Sequence, residues 1–106
     1  MKRRILIVDD DPDVRRTLER CLVREGCEVT VAVDGKEAAE KIDHARPELV
    51  LTDLEMPRAG GREVVALAVQ RRVPVVVLTG HGTVQAAVEL MRAGAANFLT
   101  KPFTPD

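Results

Sequence analysis

Three short runs of the chain are apolar at every position: Ile5-Leu6-Ile7-Val8, Leu49-Val50-Leu51 and Val75-Val76-Val77-Leu78. Strands covered on both faces carry this pattern, because neither side of the sheet meets water. The stretch from Cys27 to Val33 alternates instead, with Cys27, Val29, Val31 and Val33 apolar, and Ala96 to Thr100 is short and mixed. Both suit half-covered edge strands.

Helical spacing fills the gaps between these runs. Asp11-Pro12 is a start signal, with Asp as N-cap and Pro at the first helical position. Val14, Leu18, Cys21 and Leu22 then form a stripe that should face the sheet, and Gly26 is a natural stop. A second helix is predicted from near Gly35, burying Ala38, Ile42 and Ala45 and ended by Pro47. A third begins about Gly61, with Val64, Val65, Leu67 and Ala68 inward. A fourth carries Val84, Ala87, Val88 and Met91 inward and stops at Gly94. Strand and helix thus alternate five and four times, which predicts an α/β fold, a doubly wound parallel sheet with helices on both faces. Right-handed crossovers and a sheet of order 2-1-3-4-5 put the segments around Val29 and Phe98 at the two edges, in agreement with their weaker patterns.

The 106 residues fit one domain. No apolar run approaches the roughly 20 residues of a membrane span. The basic start, Met1-Lys2-Arg3-Arg4, leads into an apolar stretch far too short for a signal peptide and then into Asp9-Asp10-Asp11, so a cytoplasmic location is expected, with no membrane partner. Sixteen basic and seventeen acidic residues give a net charge of −1, and the basic residues are scattered. No direct nucleic-acid contact is therefore expected of this domain. Cys21 and Cys27 fall on apolar faces and are expected to be core thiols rather than a disulfide or a zinc site.

In such sheets ligands bind at the carboxyl ends of the strands, where the strand order reverses. The first strand ends in Asp9-Asp10, the third in Thr52-Asp53, the fourth in Thr79-Gly80 and the fifth in Lys101-Pro102. Three carboxylates, a hydroxyl and an ammonium are thereby expected on one edge. Close carboxylates repel, and a divalent cation resolves the repulsion. Oxygen-only ligands suit a hard, partly hydrated cation such as Mg²⁺. No Walker loop cradles a nucleotide. A carboxylate beside Mg²⁺ and a lysine is placed to attack a phosphoryl group itself. Asp53 is the best candidate nucleophile, standing alone at the end of a buried central strand. Asp11 reads better as a plain cap than as a ligand.

Val8-Asp9-Asp10-Asp11-Pro12, Asp53-Leu54-Glu55-Met56-Pro57, Leu78-Thr79-Gly80-His81-Gly82 and Lys101-Pro102-Phe103 resemble, in order, the signature segments of bacterial two-component response-regulator receiver domains, above all those of multidomain transcription activators. Each segment alone is common; four on four strand ends are specific. The resemblance implies a flavodoxin-like fold and a switch that accepts a phosphoryl group on Asp53 from a sensor histidine kinase. It implies Mg²⁺ held by Asp9, Asp10, Asp53 and the backbone carbonyl of Glu55. It makes Lys101 and Thr79 the partners of the phosphoryl group. Thr79 and Phe98 become the switch residues, and Glu55 and His81 tune dephosphorylation. The face made by the fourth helix and fifth strand would carry the signal to a C-terminal effector or to a second copy.

Receivers usually finish with a fifth helix, and this sequence stops at Thr104-Pro105-Asp106, so residues 1–106 are expected to form a receiver domain truncated before that helix. The loop holding Arg58-Ala59-Gly60-Gly61 lacks the acidic residue the family often places before its last glycine. Two other readings compete. An aspartyl phosphatase or phosphotransferase would usually need a second acid near the nucleophile and a cap over the substrate; here Asp53 is followed by Leu54-Glu55, and no segment is long enough for a cap. A degenerate receiver used only for protein contacts would lack a key residue, and none is missing. The domain is thus expected to catalyse only its own phosphorylation and hydrolysis.

Overall fold

A computed structural model describes residues 2–54, 60–79 and 84–100. The element order is β1 (Arg4–Val8), α1 (Pro12–Arg24), β2 (Glu28–Ala32), α2 (Gly35–Ala45), β3 (Leu49–Asp53), α3 (Gly61–Gln70), β4 (Val75–Thr79), α4 (Val84–Arg92) and β5 (Asn97–Thr100). The five strands form one parallel sheet of order β2-β1-β3-β4-β5, as the alternating pattern predicts.

The sheet separates two apolar layers, because successive side chains on a strand point to opposite faces. Leu6, Val8, Val50, Val75 and Val77 pack beneath α2, α3 and α4, with Ala38, Ile42, Val64, Val65, Ala68 and Leu90 supplied by the helices. Ile5, Ile7, Leu51 and Leu78 face the other way, toward Leu18 and Leu22 of α1. Among the described residues α1 is the only helix on that face. Its predicted stripe of Val14, Leu18, Cys21 and Leu22 accordingly reaches only partial burial. Cys21 and Cys27 are half-buried free thiols.

Local signals set the helix ends. Asp11 Oδ1 accepts from the Asp13 amide at 2.9 Å, with Pro12 at the first helical position. Gly26 takes φ 89° after α1, the left-handed geometry of a helix stop. Buried Asp34 caps α2 by accepting from the Glu37 amide at 2.9 Å, and Glu37 Oε1 reaches back to the Val33 amide at 3.0 Å. Replacing this cap, Asp34→Ala, is expected to cost about 1–2 kcal/mol of unfolding free energy in urea titrations. A result within experimental error of zero would mean that the cap is dispensable.

Three predicted positions need correction. Val33 lies beyond β2 and is 40% exposed. In α4, Val88 is also 40% exposed, while Leu90 is buried and Met91 partly so. Apolar residues occupy most positions of this nine-residue helix, so periodicity does not select a face, and packing on β4 and β5 does. Ala45, expected inside, is only partly buried.

At the end of the sheet where the strands begin, Arg71 Nε donates to Asp43 Oδ1 at 3.0 Å and ties α3 to α2. That hydrogen bond holds the Asp43 carboxyl below its ordinary range and raises Arg71. A depressed carboxylate contributes stability above its unfolded value and loses it as the pH falls through the folded one. Both groups are solvent-exposed, so the contribution is small. Arg71→Ala is therefore expected to lower the melting temperature slightly at neutral pH, and the gap to wild type should close on acidification below the usual carboxylate range. A gap that widens in acid would contradict the assignment.

Candidate metal and phosphoacceptor site

The register places the acids. Val8 pairs with Thr52, so Asp9, the next residue of the first strand segment, stands level with Asp53. Asp53 in turn pairs with Leu78, which puts Thr79 at the same edge on the far side. This is the carboxyl edge of the sheet at β1 and β3, where the chain order reverses.

Asp9, Asp10 and Asp53 each bring a carboxylate oxygen to a common point, all within 4.8 Å of one another. Asp9 is fully buried and Asp53 is 6% exposed, while Asp10 is open to solvent. The backbone around them is well held. The Asp9 amide donates to the Ala32 carbonyl at 3.1 Å, and Asp9 Oδ1 accepts from the Asp11 amide at 2.9 Å. The Asp9 carbonyl accepts from Arg15 Nη1 at 2.8 Å. Asp53 Oδ1 accepts from the Leu54 amide at 2.8 Å, which fixes the rotation of the carboxylate. That amide also points to the Leu78 carbonyl at 3.1 Å, and the buried Thr52 hydroxyl donates to the Asp53 carbonyl at 2.9 Å. Gly61, at the start of α3, donates to the Leu54 carbonyl at 3.0 Å and closes the loop that follows Asp53.

The donor set fits a hard divalent cation. Carboxylate oxygens are the ligands Mg²⁺ prefers, and two buried anions side by side are costly without a counter-charge. The structure thus brings together three of the predicted site residues, Asp9, Asp10 and Asp53. Phe98 pairs in register with Val77 and packs, half-buried, against the larger apolar layer. The backbone carbonyl of Glu55, His81 and Lys101 lie outside the described residues, as does the hydroxyl of Thr79.

Sequence reasoning missed two residues that shape the site. Gly61 was read as a helix start, yet its close approach to the β3 end depends on its having no side chain. In the sequence Arg15 is only one of the scattered basic residues. The signal for it is its place in the first turn of α1, where a cation opposes the helix dipole and calls for a specific partner.

A family model for the response regulator receiver domain matches residues 5–106. The chain belongs to that family. The receiver is 43% identical over 102 residues to the transcriptional regulatory protein PrrA of Mycobacterium tuberculosis, covering 94% of this chain and 44% of that protein. It is 38% identical over 103 residues to the response regulator protein PilR of Pseudomonas aeruginosa, covering 95% of this chain and 23% of that one. It therefore spans less than half the length of these curated relatives. Among solved structures, NtrX of Brucella abortus superposes with a TM-score of 0.92 at 35% identity, over 100% of this chain and 25% of that one. A CheY-like receiver domain protein of Methanospirillum hungatei gives 0.90 at 31% identity, over 99% and 86%. Receiver domains are phosphorylation switches of two-component systems, and the fold and motif order of this chain agree with that role. No helix among the described residues is long and apolar enough to cross a membrane.

Proposed function

We propose that this receiver works in the cytoplasm and accepts a phosphoryl group on Asp53 from a sensor histidine kinase, with Mg²⁺ held by Asp9, Asp10, Asp53 and the Glu55 carbonyl. The observation that carries the reading is the convergence of three carboxylate oxygens within 4.8 Å at the switch point of the sheet. An Asp53 oxygen attacks phosphorus, and the bond from phosphorus to the donor's imidazole nitrogen breaks. The electron pair leaves with that nitrogen, and an acyl phosphate remains on Asp53. Bound Mg²⁺ would supply charge neutralisation for the phosphoryl oxygens. The Leu54 amide holds Asp53 in a fixed rotamer, so little reorganisation precedes attack.

The remaining roles rest on the matching motifs. Lys101 pairs with the phosphoryl group, and Thr79 moves to hydrogen-bond it. Phe98 turns with Thr79, and Glu55 and His81 set the hydrolysis rate. Phosphorylation then biases two states of the α4 and β5 face. That face acts on an effector or a second copy, in keeping with the transcriptional relatives. Residues 1–106 serve as the receiver unit, turn over no external substrate and do not touch DNA themselves.

The test is intact-protein mass after incubation with acetyl phosphate and Mg²⁺, for wild type and Asp53→Ala. One phosphoryl adduct is expected in the wild type, none in the variant, and none when Mg²⁺ is chelated. Wild type without an adduct at any Mg²⁺ concentration would overturn the reading in favour of a protein-contact module.

A further inference from the structure

We propose that Arg15 is a positioning residue for the metal site, locking the Asp9–Asp10 peptide so that both carboxylates are aimed before the cation arrives. The inference rests on the Mg²⁺ reading above and extends it to a residue with no ligand atom of its own. Arg15 is the fourth residue of α1, and its guanidinium reaches back over the helix start to the Asp9 carbonyl at 2.8 Å. That carbonyl belongs to the peptide joining Asp9 to Asp10. Rotating this peptide would swing the two carboxylates relative to each other.

Two further bonds act on other groups of this segment. The Asp9 amide is tied to Ala32 on β2, and Asp9 Oδ1 is tied to the Asp11 amide. Neither bond holds the 9–10 carbonyl. The Arg15 contact does, from a half-buried side chain whose own backbone is fixed by the Arg15 amide donating to the Asp11 carbonyl at 3.1 Å. A cation this near a helix N-terminus opposes the dipole. The neighbouring Arg16 answers that cost with an ion pair to Asp13 at 2.9 Å. Arg15 answers it with the carbonyl of the site loop. Partners that orient metal ligands without touching the metal commonly change affinity by about 10- to 100-fold.

The sign of the effect separates positioning from plain charge. Deleting a positive charge beside an anionic site should tighten Mg²⁺ binding if charge alone matters. Loss of positioning should weaken it. The experiment is calorimetric titration of the whole chain with MgCl₂, for wild type, Arg15→Met and Arg15→Lys, with melting temperatures taken on the same samples without metal. Arg15→Met is expected to bind Mg²⁺ roughly tenfold more weakly, with Arg15→Lys falling between it and wild type because one donor is retained. Unchanged affinity with a lower melting temperature would make Arg15 merely structural and overturn the proposal. Tighter binding by Arg15→Met would make it a counter-charge and also overturn it. Wild type that takes up no Mg²⁺ would instead sink the metal reading itself, and the inference with it. Should Arg15→Met fail to fold, Arg15→Gln, neutral and too short to reach the carbonyl, is expected to show the same weakening.

Discussion

Gly61→Ala is expected to destabilise the receiver by about 2–3 kcal/mol, the size of an overpacked core substitution. A methyl group built on Gly61 would collide with the Asp53 carbonyl oxygen, and it would lie 2.7 Å from the Leu54 Cα and 3.0 Å from the Leu54 oxygen. All three are backbone atoms at the end of β3, so no side chain can swing away. Alanine is the better helix former by about 1 kcal/mol, but that preference acts at the first position of α3 and is smaller than the clash. Relief requires α3 to move off the strand end, which strains the 3.0 Å bond from the Gly61 amide to Leu54 and shifts Asp53. Urea unfolding should therefore show a lower midpoint, and the folded fraction should phosphorylate more slowly with acetyl phosphate. A domain of this kind holds about 5–15 kcal/mol, so enough folded protein remains for both measurements. Gly26→Ala is the comparison. Nothing lies within 4 Å there, and only the φ of 89° opposes a side chain. Its cost should stay near 1–2 kcal/mol with phosphorylation unchanged. Stabilisation by Gly61→Ala, the outcome of helix propensity alone, would show that the strand end yields freely.

The fold was legible where burial is two-sided and helix ends carry chemical signals. Continuous apolar runs such as Val75 to Leu78 have no use outside a covered strand, and β4 spans Val75–Thr79. Asp11-Pro12 starts a helix because the side-chain oxygen satisfies an amide that the helix itself leaves unpaired. Faces were harder to read where apolar residues are too dense or the element ends. Val88 points outward in α4 because several faces of that helix are apolar enough to pack, and only the sheet beneath it chooses. The site divides in the same way. Asp9, Asp10 and Asp53 were legible because a parallel sheet sends all strand ends to one edge, whatever the loops do. Arg15 and Gly61 were not, because their roles depend on a side chain folding back six residues and on a backbone approach, and neither leaves a periodic trace.

Asp53→Asn is expected to raise the stability of the metal-free receiver while removing most of its stabilisation by Mg²⁺. Without a cation, Asp53 shares a 4.8 Å neighbourhood with Asp9 and Asp10. Two unit charges at that separation repel by about 1 kcal/mol in water and by about 3–4 kcal/mol at the effective dielectric near a protein surface. The amide is isosteric, so packing at this buried position is preserved, and its oxygen can still accept from Leu54 as Asp53 Oδ1 does. The substitution removes one of the three neighbouring carboxylate charges. The net gain without metal should thus be about 1–3 kcal/mol. With Mg²⁺ present the order reverses. Wild type gains about 4.1 kcal/mol at a cation concentration about 1,000 times its dissociation constant, and the variant, short of one ligand charge, gains much less. Urea midpoints for both proteins, with EDTA and with excess Mg²⁺, give the four values needed. Crossing of the two pairs supports a site that holds its acids under repulsion until a cation binds. A variant less stable than wild type in EDTA, or equally stabilised by Mg²⁺, would mean that the three carboxylates do not act together on one ion.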